Sequence, residues 1–284
     1  MIKITIKLAV ALLLLATSVL KAQNFQGQAF YESKTALSDN FKIEGPGMDD
    51  EIKKQMMESM RKSFEKSYIL TFNKSESLFE EEKKLEAPTA NQGGVIIKME
   101  NSEEGKTYKN IKNKISVRET EFFGKQFLIT DSLQTYQWKL EETSKKIGDY
   151  TCYKATFVIP VSEKERKNYE EFKNKKDDGK TQLFLMDEPK DKLITVWYTP
   201  EIPISHGPAE YWGLPGLILE ASFDKTTILC SKIVINPKEK MSIKEPKNGK
   251  KVTSEEYERL IEQQMELMNN QKAGEGEFKI QIRG

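Results

Sequence analysis

A proline-rich, aromatic stretch from Trp197 to Ala221 constrains this chain more than any other part of its sequence. It contains four of the ten prolines and two of the three tryptophans. Each proline fixes its own φ near −65° and pushes the preceding residue towards an extended conformation. Because proline cannot donate a backbone hydrogen bond, the stretch cannot be a central strand of a sheet. The sequence therefore predicts a stiff, mostly non-helical segment that carries aromatic side chains.

The end of this stretch predicts a tight turn followed by a strand. Pro215 and Gly216 would occupy the two central positions of a type II turn, in which the glycine takes a positive φ. The apolar run after Gly216 then leaves the turn as a strand. The structural motif of this region consists of six consecutive residues: Gly213, Leu214, Pro215, Gly216, Leu217 and Ile218.

These six residues spell the name of a protein family. On them, together with Trp197–Thr199, Ile202–Pro203 and Cys152–Thr156, the chain resembles the GLPGLI family of small exported proteins from Gram-negative bacteria. The resemblance covers the middle third of the chain best. Because that family has no established function, the resemblance implies export and assigns no activity.

The N-terminus has the pattern of a signal peptide. Lys3 and Lys7 precede a short apolar run, Leu8–Ala16, which is too short to span a bilayer as a helix. We expect cleavage after Ala22, with Ser18 as the alternative. The chain would then comprise a signal peptide over 1–22 and a single domain over 23–284, exported to the periplasm or secreted, with no transmembrane span in its mature form.

The charge balance argues against two classes of partner. The formal net charge is +1, and removal of the three lysines in residues 1–22 would leave −2. A nearly neutral chain has no electrostatic reason to bind nucleic acid or an anionic membrane.

Most of the remaining sequence predicts short antiparallel strands. The first is Gly27–Ala36, and strand-like runs separated by Asn- and Gly-containing gaps follow from Tyr68 to Ile129. Further strands are predicted at 150–159 and, as a hairpin, at 217–223 and 226–235. Their lengths and spacing suit an antiparallel meander with one apolar face.

Apolar periodicity predicts two main helices, at 50–66 and 253–270, and Thr253–Glu256 forms a capping box at the start of the second. The charged segment 162–180 is predicted to lie outside the core, as either a helix or a loop. The fold class is therefore α+β: a single large curved antiparallel β-sheet, a half-barrel like that of lipoprotein carriers, with two main helices.

The two cysteines, Cys152 and Cys230, lie in strand-like runs of a protein that we expect to be exported, where oxidation is permitted. If their strands are neighbours, a disulfide would close a loop of roughly 80 residues and add up to about 4 kcal/mol of stability. The alternative is a pair of free, buried thiols that pack as small apolar residues. The sequence leaves both alternatives open.

No arrangement of residues in the sequence predicts catalysis or metal binding. The single histidine, His206, stands beside Ser205, but adjacent residues point apart and no G-x-S-x-G motif is present. We therefore expect His206 to be exposed on a surface loop. Two distant cysteines and one histidine do not supply the ligands of a structural zinc ion. The sequence thus predicts a non-enzymatic protein without a metal or cofactor.

Aromatic residues and methionines carry the functional hypothesis. They combine large apolar area with hydrogen-bonding edges or adaptable shape; the residues are Trp197, Tyr198, Tyr211, Trp212, Met56 and Met60. We expect them to hold a lipid or other apolar ligand, or a segment of an envelope protein, in the curved sheet. The alternative function is an interaction or structural component of the envelope without a cavity, whose aromatic loop binds another protein. The structural alternative for the stretch itself is a rigid lid that seals one end of the core.

Overall fold

In the computed structural model, the described residues are 25–36, 49–51, 54–55, 57–58, 64–82, 105–175, 188–239 and 241–272. The predicted signal peptide and its cleavage site lie outside them. Twelve strands and two helices with defined bounds are present in this part of the chain. The strands are β1 (Gln26–Thr35), β2 (Glu65–Asn73), β3 (Glu76–Glu81), β4 (Lys106–Asn110), β5 (Ile115–Phe122), β6 (Lys125–Ser132), β7 (Lys139–Ile147), β8 (Tyr150–Ile159), β9 (Lys192–Thr199), β10 (Leu217–Phe223), β11 (Thr226–Ile235) and β12 (Lys250–Val252).

The twelve strands form one open sheet built from two antiparallel meanders. Its order is β12-β6-β5-β4-β3-β2-β1-β11-β10-β9-β8-β7. The first meander runs from β1 to β6 and the second from β7 to β11, and they join where β11 pairs with β1. The short strand β12, in a region predicted as loop, pairs parallel with β6. The predicted single large sheet is thus confirmed, with this one parallel pair among the described strands.

The predicted hairpin at the end of the second meander is also confirmed. Phe223 of β10 lies opposite Thr226 of β11, so Asp224 and Lys225 form the turn. Asp224 has a φ of 48°, a left-handed conformation that aspartate tolerates better than most residues.

The two bounded helices are α1 (Glu163–Lys175) and α2 (Ser254–Lys272). The capping box of α2 is confirmed, because the Thr253 N–H donates to Glu256 Oε2 (3.0 Å) and the Glu256 N–H donates to Thr253 Oγ1 (3.2 Å). Tyr257 then packs edge-on against Phe127 of β6, which fixes α2 on the sheet. None of the described helices is long and apolar enough to cross a membrane.

Helix α1 lies in the charged segment for which the sequence left helix or loop open. Lys164 forms ion pairs with Glu258 and Glu262 of α2, so the two helices meet outside the core. In the helix predicted at 50–66, the described positions from Asp50 to Glu58 are helical. Met56 and Met60 lie outside the described residues.

Candidate functional site

Residues 200–216, between β9 and β10, are called the proline loop below. They are tied to the start of β10 by backbone hydrogen bonds. The Leu217 N–H donates to the Ile202 carbonyl and the Ile218 N–H donates to the His206 carbonyl, both at 3.0 Å. His206 also pairs with Trp212 in an isolated β-bridge. The predicted stiff, non-helical path is therefore confirmed.

The tight turn of the proline loop differs from the prediction. The glycine with a positive φ (96°) is Gly213. Gly216 is not among the residues with positive φ, so the predicted left-handed glycine at 216 is wrong. A Cβ at 216 would lie 2.9 Å from the Pro200 nitrogen and even closer to the Thr199 carbonyl. Glycine is required at 216 because the two ends of the loop meet there.

A buried lysine on β4 holds the middle of the proline loop. Lys109 is fully buried, and its ammonium group donates to the carbonyl oxygens of Gly207 (2.9 Å), Ala209 (2.6 Å) and Tyr211 (3.0 Å). In the sheet, β4 is five strands from β10, about 24 Å along a flat sheet. Contact across this separation shows how far the sheet and the loop curl towards each other.

Burial and carbonyl contacts act in opposite directions on the charge of Lys109. Desolvation lowers the pKa of Lys109 to about 7, and the carboxylate of Glu210 opposes this. The three carbonyl oxygens also favour the ammonium form, because only that form has three N–H donors. Nothing in the strand-like run around Lys109 marks it in the sequence as different from its exposed neighbours.

His206 does not lie on the surface, and the prediction of an exposed loop histidine is wrong. Its side chain is 0% exposed, and its Nε2 lies 3.1 Å from the carbonyl oxygen of Asn73 at the end of β2. Burial and the nearby charge of Lys109 lower the pKa of His206 to about 3, while the Asn73 contact opposes the shift. The imidazole is therefore neutral at physiological pH.

The contact with Asn73 also defines which nitrogen of His206 carries the proton. A carbonyl oxygen can only accept, so Nε2 is the donor and Nδ1 is the unprotonated nitrogen. Nδ1 is buried and has no hydrogen-bond partner within the described part of the chain. A general base must come within hydrogen-bond distance of the proton that it removes. The complete burial of His206 prevents this for an external substrate.

The four aromatic residues predicted to form a contact surface are divided between core and rim. Tyr198 and Tyr211 are buried in the same core cluster as Leu214. Trp197 and Trp212 are partly buried, and each packs against a core cluster. The arrangement is that of a lid, the structural alternative weighed for this stretch.

The indole groups at this rim are hydrogen-bonded within the protein. Trp212 Nε1 donates to the Gln134 carbonyl (2.6 Å), and Trp138 Nε1 donates to the Trp212 carbonyl (2.8 Å). On the other face, Lys145 Nζ lies 4.3 Å from the ring centre of Trp197. Trp138 and Gln134, which sequence reasoning did not single out, therefore fasten the proline loop to the connection between β6 and β7.

The six-residue motif is mainly part of the core. Leu214, Leu217 and Ile218 are among the largest fully or nearly fully buried side chains. The Tyr31 hydroxyl of β1, which is also buried, donates to the Ile218 carbonyl (2.7 Å). These contacts connect the motif to the first strand of the protein, almost 190 residues earlier.

Both cysteines are buried and free, the second of the two alternatives left open by the sequence. Cys152 on β8 and Cys230 on β11 are separated in the sheet by β9 and β10. Three strand spacings correspond to about 14 Å along the sheet, whereas a disulfide needs Cα atoms within about 7 Å.

Other polar residues in the described part of the chain do not form a recognisable reaction centre. No group of three or more histidine, cysteine, aspartate or glutamate residues in that part is arranged to hold a metal ion. A shallow groove beside α1 is lined mainly by charged side chains, including Arg166, Glu170, Glu188 and Asp191. Its lining is polar, unlike the apolar site expected from the sequence.

Comparison with protein families gives one match in the region of the proline loop. A family model described as "Protein of unknown function (Porph_ging)" matches residues 138–220. This range runs from Trp138 into β10 and includes the whole Gly213–Ile218 motif that carries the resemblance to the GLPGLI family. The match is to an uncharacterised family. No curated protein is significantly similar to the chain.

Three solved structures match this chain at low sequence identity. Two are structures of PNGF-II, each 14% identical to this chain, with TM-scores of 0.46 and 0.45. The two matches cover 84% and 83% of this chain. The chain spans about a third of the length of PNGF-II (32% and 33%). The third is the Mycobacterium tuberculosis lipoprotein LppX, 9% identical with a TM-score of 0.24, with 80% of this chain and 92% of LppX covered. Scores this low assign neither fold nor function to this chain.

Proposed function

We propose that the protein is an exported, non-enzymatic component of the cell envelope that binds a protein partner through its outer surface. The observation that carries this proposal is the position of the proline loop. Its side chains Ile202 and Ile204 pack in one core cluster, with residues of β1, β2 and β3. Tyr211 and Leu214 pack in another, with residues of β8, β9 and β10. The two clusters lie on opposite faces of β9 and β10, since Tyr198 and Ile218 belong to the second and their neighbours Trp197 and Leu217 pack in the first. The loop thus covers apolar side chains that a ligand would need on either face.

An apolar ligand on either face would have to displace the loop. Removing four large apolar side chains from the core costs about 6–12 kcal/mol, at about 1.5–3 kcal/mol for each. That range approaches the whole binding free energy of a nanomolar ligand, about 12 kcal/mol. The hydrogen bonds of Lys109, His206 and Trp212 would be lost in addition. This balance favours the alternative without a cavity over a lipid carrier.

Exposed apolar residues on the outer strands support a protein contact instead. Val158 of β8 and Leu193 of β9 lie directly opposite each other, so their side chains share one face of the sheet. They are 49% and 54% exposed. We infer that this face, at the β7–β9 end of the sheet, provides the contact.

The carrier alternative is tested with the purified full-length protein. It has three tryptophans, and all three lie near the loop or the adjoining strands, so fluorescence reports on ligand entry. We expect no co-purifying lipid after organic extraction and no emission shift when amphiphiles are added below their micelle concentration. A saturable shift together with extracted lipid would contradict the proposal and favour a ligand held under the loop.

The protein-contact proposal is tested by comparing two exposed leucines in cells that make the full-length protein. Leu193→Glu places a charge in the proposed contact, and Leu229→Glu makes the same change at a 40% exposed position on β11. After cross-linking in intact cells, we expect L193E to lose an adduct that the wild type and L229E retain. Fractionation of the same cells should place the protein in the periplasm or medium. Equal adducts in both variants would argue against this surface.

A further inference from the structure

We propose that the proline loop contains a binding site for a primary ammonium group, and that Lys109 is the built-in ligand of this site. The site consists of the carbonyl oxygens of Gly207, Ala209 and Tyr211. The inference goes beyond the proposed function, since it concerns what holds the loop on the sheet and which chemical group the loop recognises.

The geometry matches an ammonium ion closely. The three carbonyls belong to alternate residues, converge on one nitrogen and lie 2.6–3.0 Å from it. Three acceptors are matched by three N–H donors, which an ammonium group has and a neutral amine lacks. Rings of backbone carbonyls are also a recurrent way of binding desolvated cations. Lys109 itself is fully buried, so water screens its contacts with the carbonyls only weakly.

Features other than Lys109 hold the carbonyls in this arrangement. Gly207 is packed so tightly that a Cβ there would lie 2.8 Å from Ile218 and 2.9 Å from the Tyr211 oxygen. Ala209 has a left-handed φ of 47°, which is costly for a residue with a Cβ. The Tyr211 N–H donates to the Pro208 carbonyl at 3.1 Å. The loop is therefore shaped in part by its own contacts, and the site should persist when the lysine side chain is removed.

Replacement of the lysine provides the test. In the full-length variant Lys109→Ala, the removed atoms correspond to propylammonium, which has the same amine and three carbons of the stem. A buried cavity of this kind can take up a small molecule that fits it. Above its dissociation constant, we expect each tenfold increase in propylammonium to raise the Tm of K109A by about 3–6 °C.

Ligand and protein controls separate recognition of the ammonium group from general effects. 1-Propanol has the same number of heavy atoms as propylammonium without three donors, and tetramethylammonium has the charge without any N–H group. Neither should stabilise K109A as propylammonium does. Lys109→Met fills the stem and should not respond to the amine. Lys106→Ala removes a half-exposed lysine from the same strand as Lys109, where it forms an ion pair with Glu80 of β3. This variant should not respond to the amine either.

The outcomes are distinct. A response of K109A to propylammonium that exceeds its response to 1-propanol, and that K109M and K106A lack, supports the site. No response from folded K109A, or equal responses to amine and alcohol, overturns it. If K109A does not fold alone, propylammonium must restore folding where 1-propanol does not. In the wild type, a slowly exchanging lysine NH₃⁺ resonance must be present about one pH unit below the Lys109 pKa of about 7 and absent from K109M; an unprotonated Lys109 there overturns the proposal.

Discussion

His206 should make the stability of this protein depend on pH in a predictable way. Burial beside Lys109 lowers its pKa in the folded protein from 6.5 to about 3. Between these values the unfolded chain binds a proton that the folded protein does not bind. The free energy of unfolding therefore falls as the pH decreases from 6.5 towards 3. Each pH unit corresponds to about 1.4 kcal/mol, so the upper limit over the whole window is about 5 kcal/mol.

The contribution of His206 can be isolated with one substitution. Carboxylates also destabilise the protein in acid; hydrogen bonds from Lys192 and Ser162, for example, lower the pKa of Glu165 to about 2. In His206→Gln, a side-chain N–H can still donate to Asn73, but the site no longer titrates. We expect H206Q to be less stable than the wild type near neutral pH, and the difference to shrink by about 1.4 kcal/mol per unit from about pH 6 to about pH 4.

Urea unfolding followed by tryptophan fluorescence measures this difference at each pH, since the midpoint and slope give the free energy of unfolding. A difference between wild type and H206Q that is the same at every pH would refute the reasoning. Because the chain has one histidine, imidazole NMR provides an independent check. Its resonances should not titrate around pH 6.5, and should show the proton on Nε2.

Three further predictions test packing in the fold. Gly216→Ala should lower the free energy of unfolding in urea by more than about 2 kcal/mol, because the new Cβ would meet backbone atoms. Gly124→Ala should lower it by only about 1 kcal/mol, because Gly124 has a positive φ but open space around it. Equal losses in the two variants would contradict this reasoning. Cys152 and Cys230 should react with a thiol reagent only after unfolding, because burial raises their pKa values to about 11 and about 12; rapid labelling of the native protein would contradict their placement. Thr253→Ala should cost about 1 kcal/mol through loss of the helix cap, and no change in the urea midpoint would show that the cap does not contribute.

The strands and the second helix were predictable because their signals are local. The hairpin at Asp224, the capping box at Thr253 and the alternating runs of the first meander each depend on a few neighbouring residues. Such signals specify an element without reference to the rest of the chain. They do not specify that β11 pairs with β1, which joins the two meanders.

The centre of the candidate site was not predictable for the opposite reason. Lys109 and Gly207 are about 100 residues apart, and neither has a local pattern that points to the other. His206 was expected on the surface because histidine in a proline-rich loop is commonly solvated. Its burial depends on the Asn73 carbonyl, which lies 133 residues away in sequence. Side chains with tertiary partners of this kind need the topology first.

The motif that dominates the sequence is explained largely by packing, and this affects where function should be sought. Gly213 supplies a left-handed turn, Gly216 allows a close approach of two backbone segments, and Leu214, Leu217 and Ile218 fill the core. Each of these five residues has a structural reason that involves no ligand. A binding role for the motif would require these buried groups to become accessible, which the contacts of Lys109 and Trp212 oppose. Surface residues outside the motif are therefore the better positions for mutations aimed at function, and buried motif positions are the better ones for mutations aimed at folding.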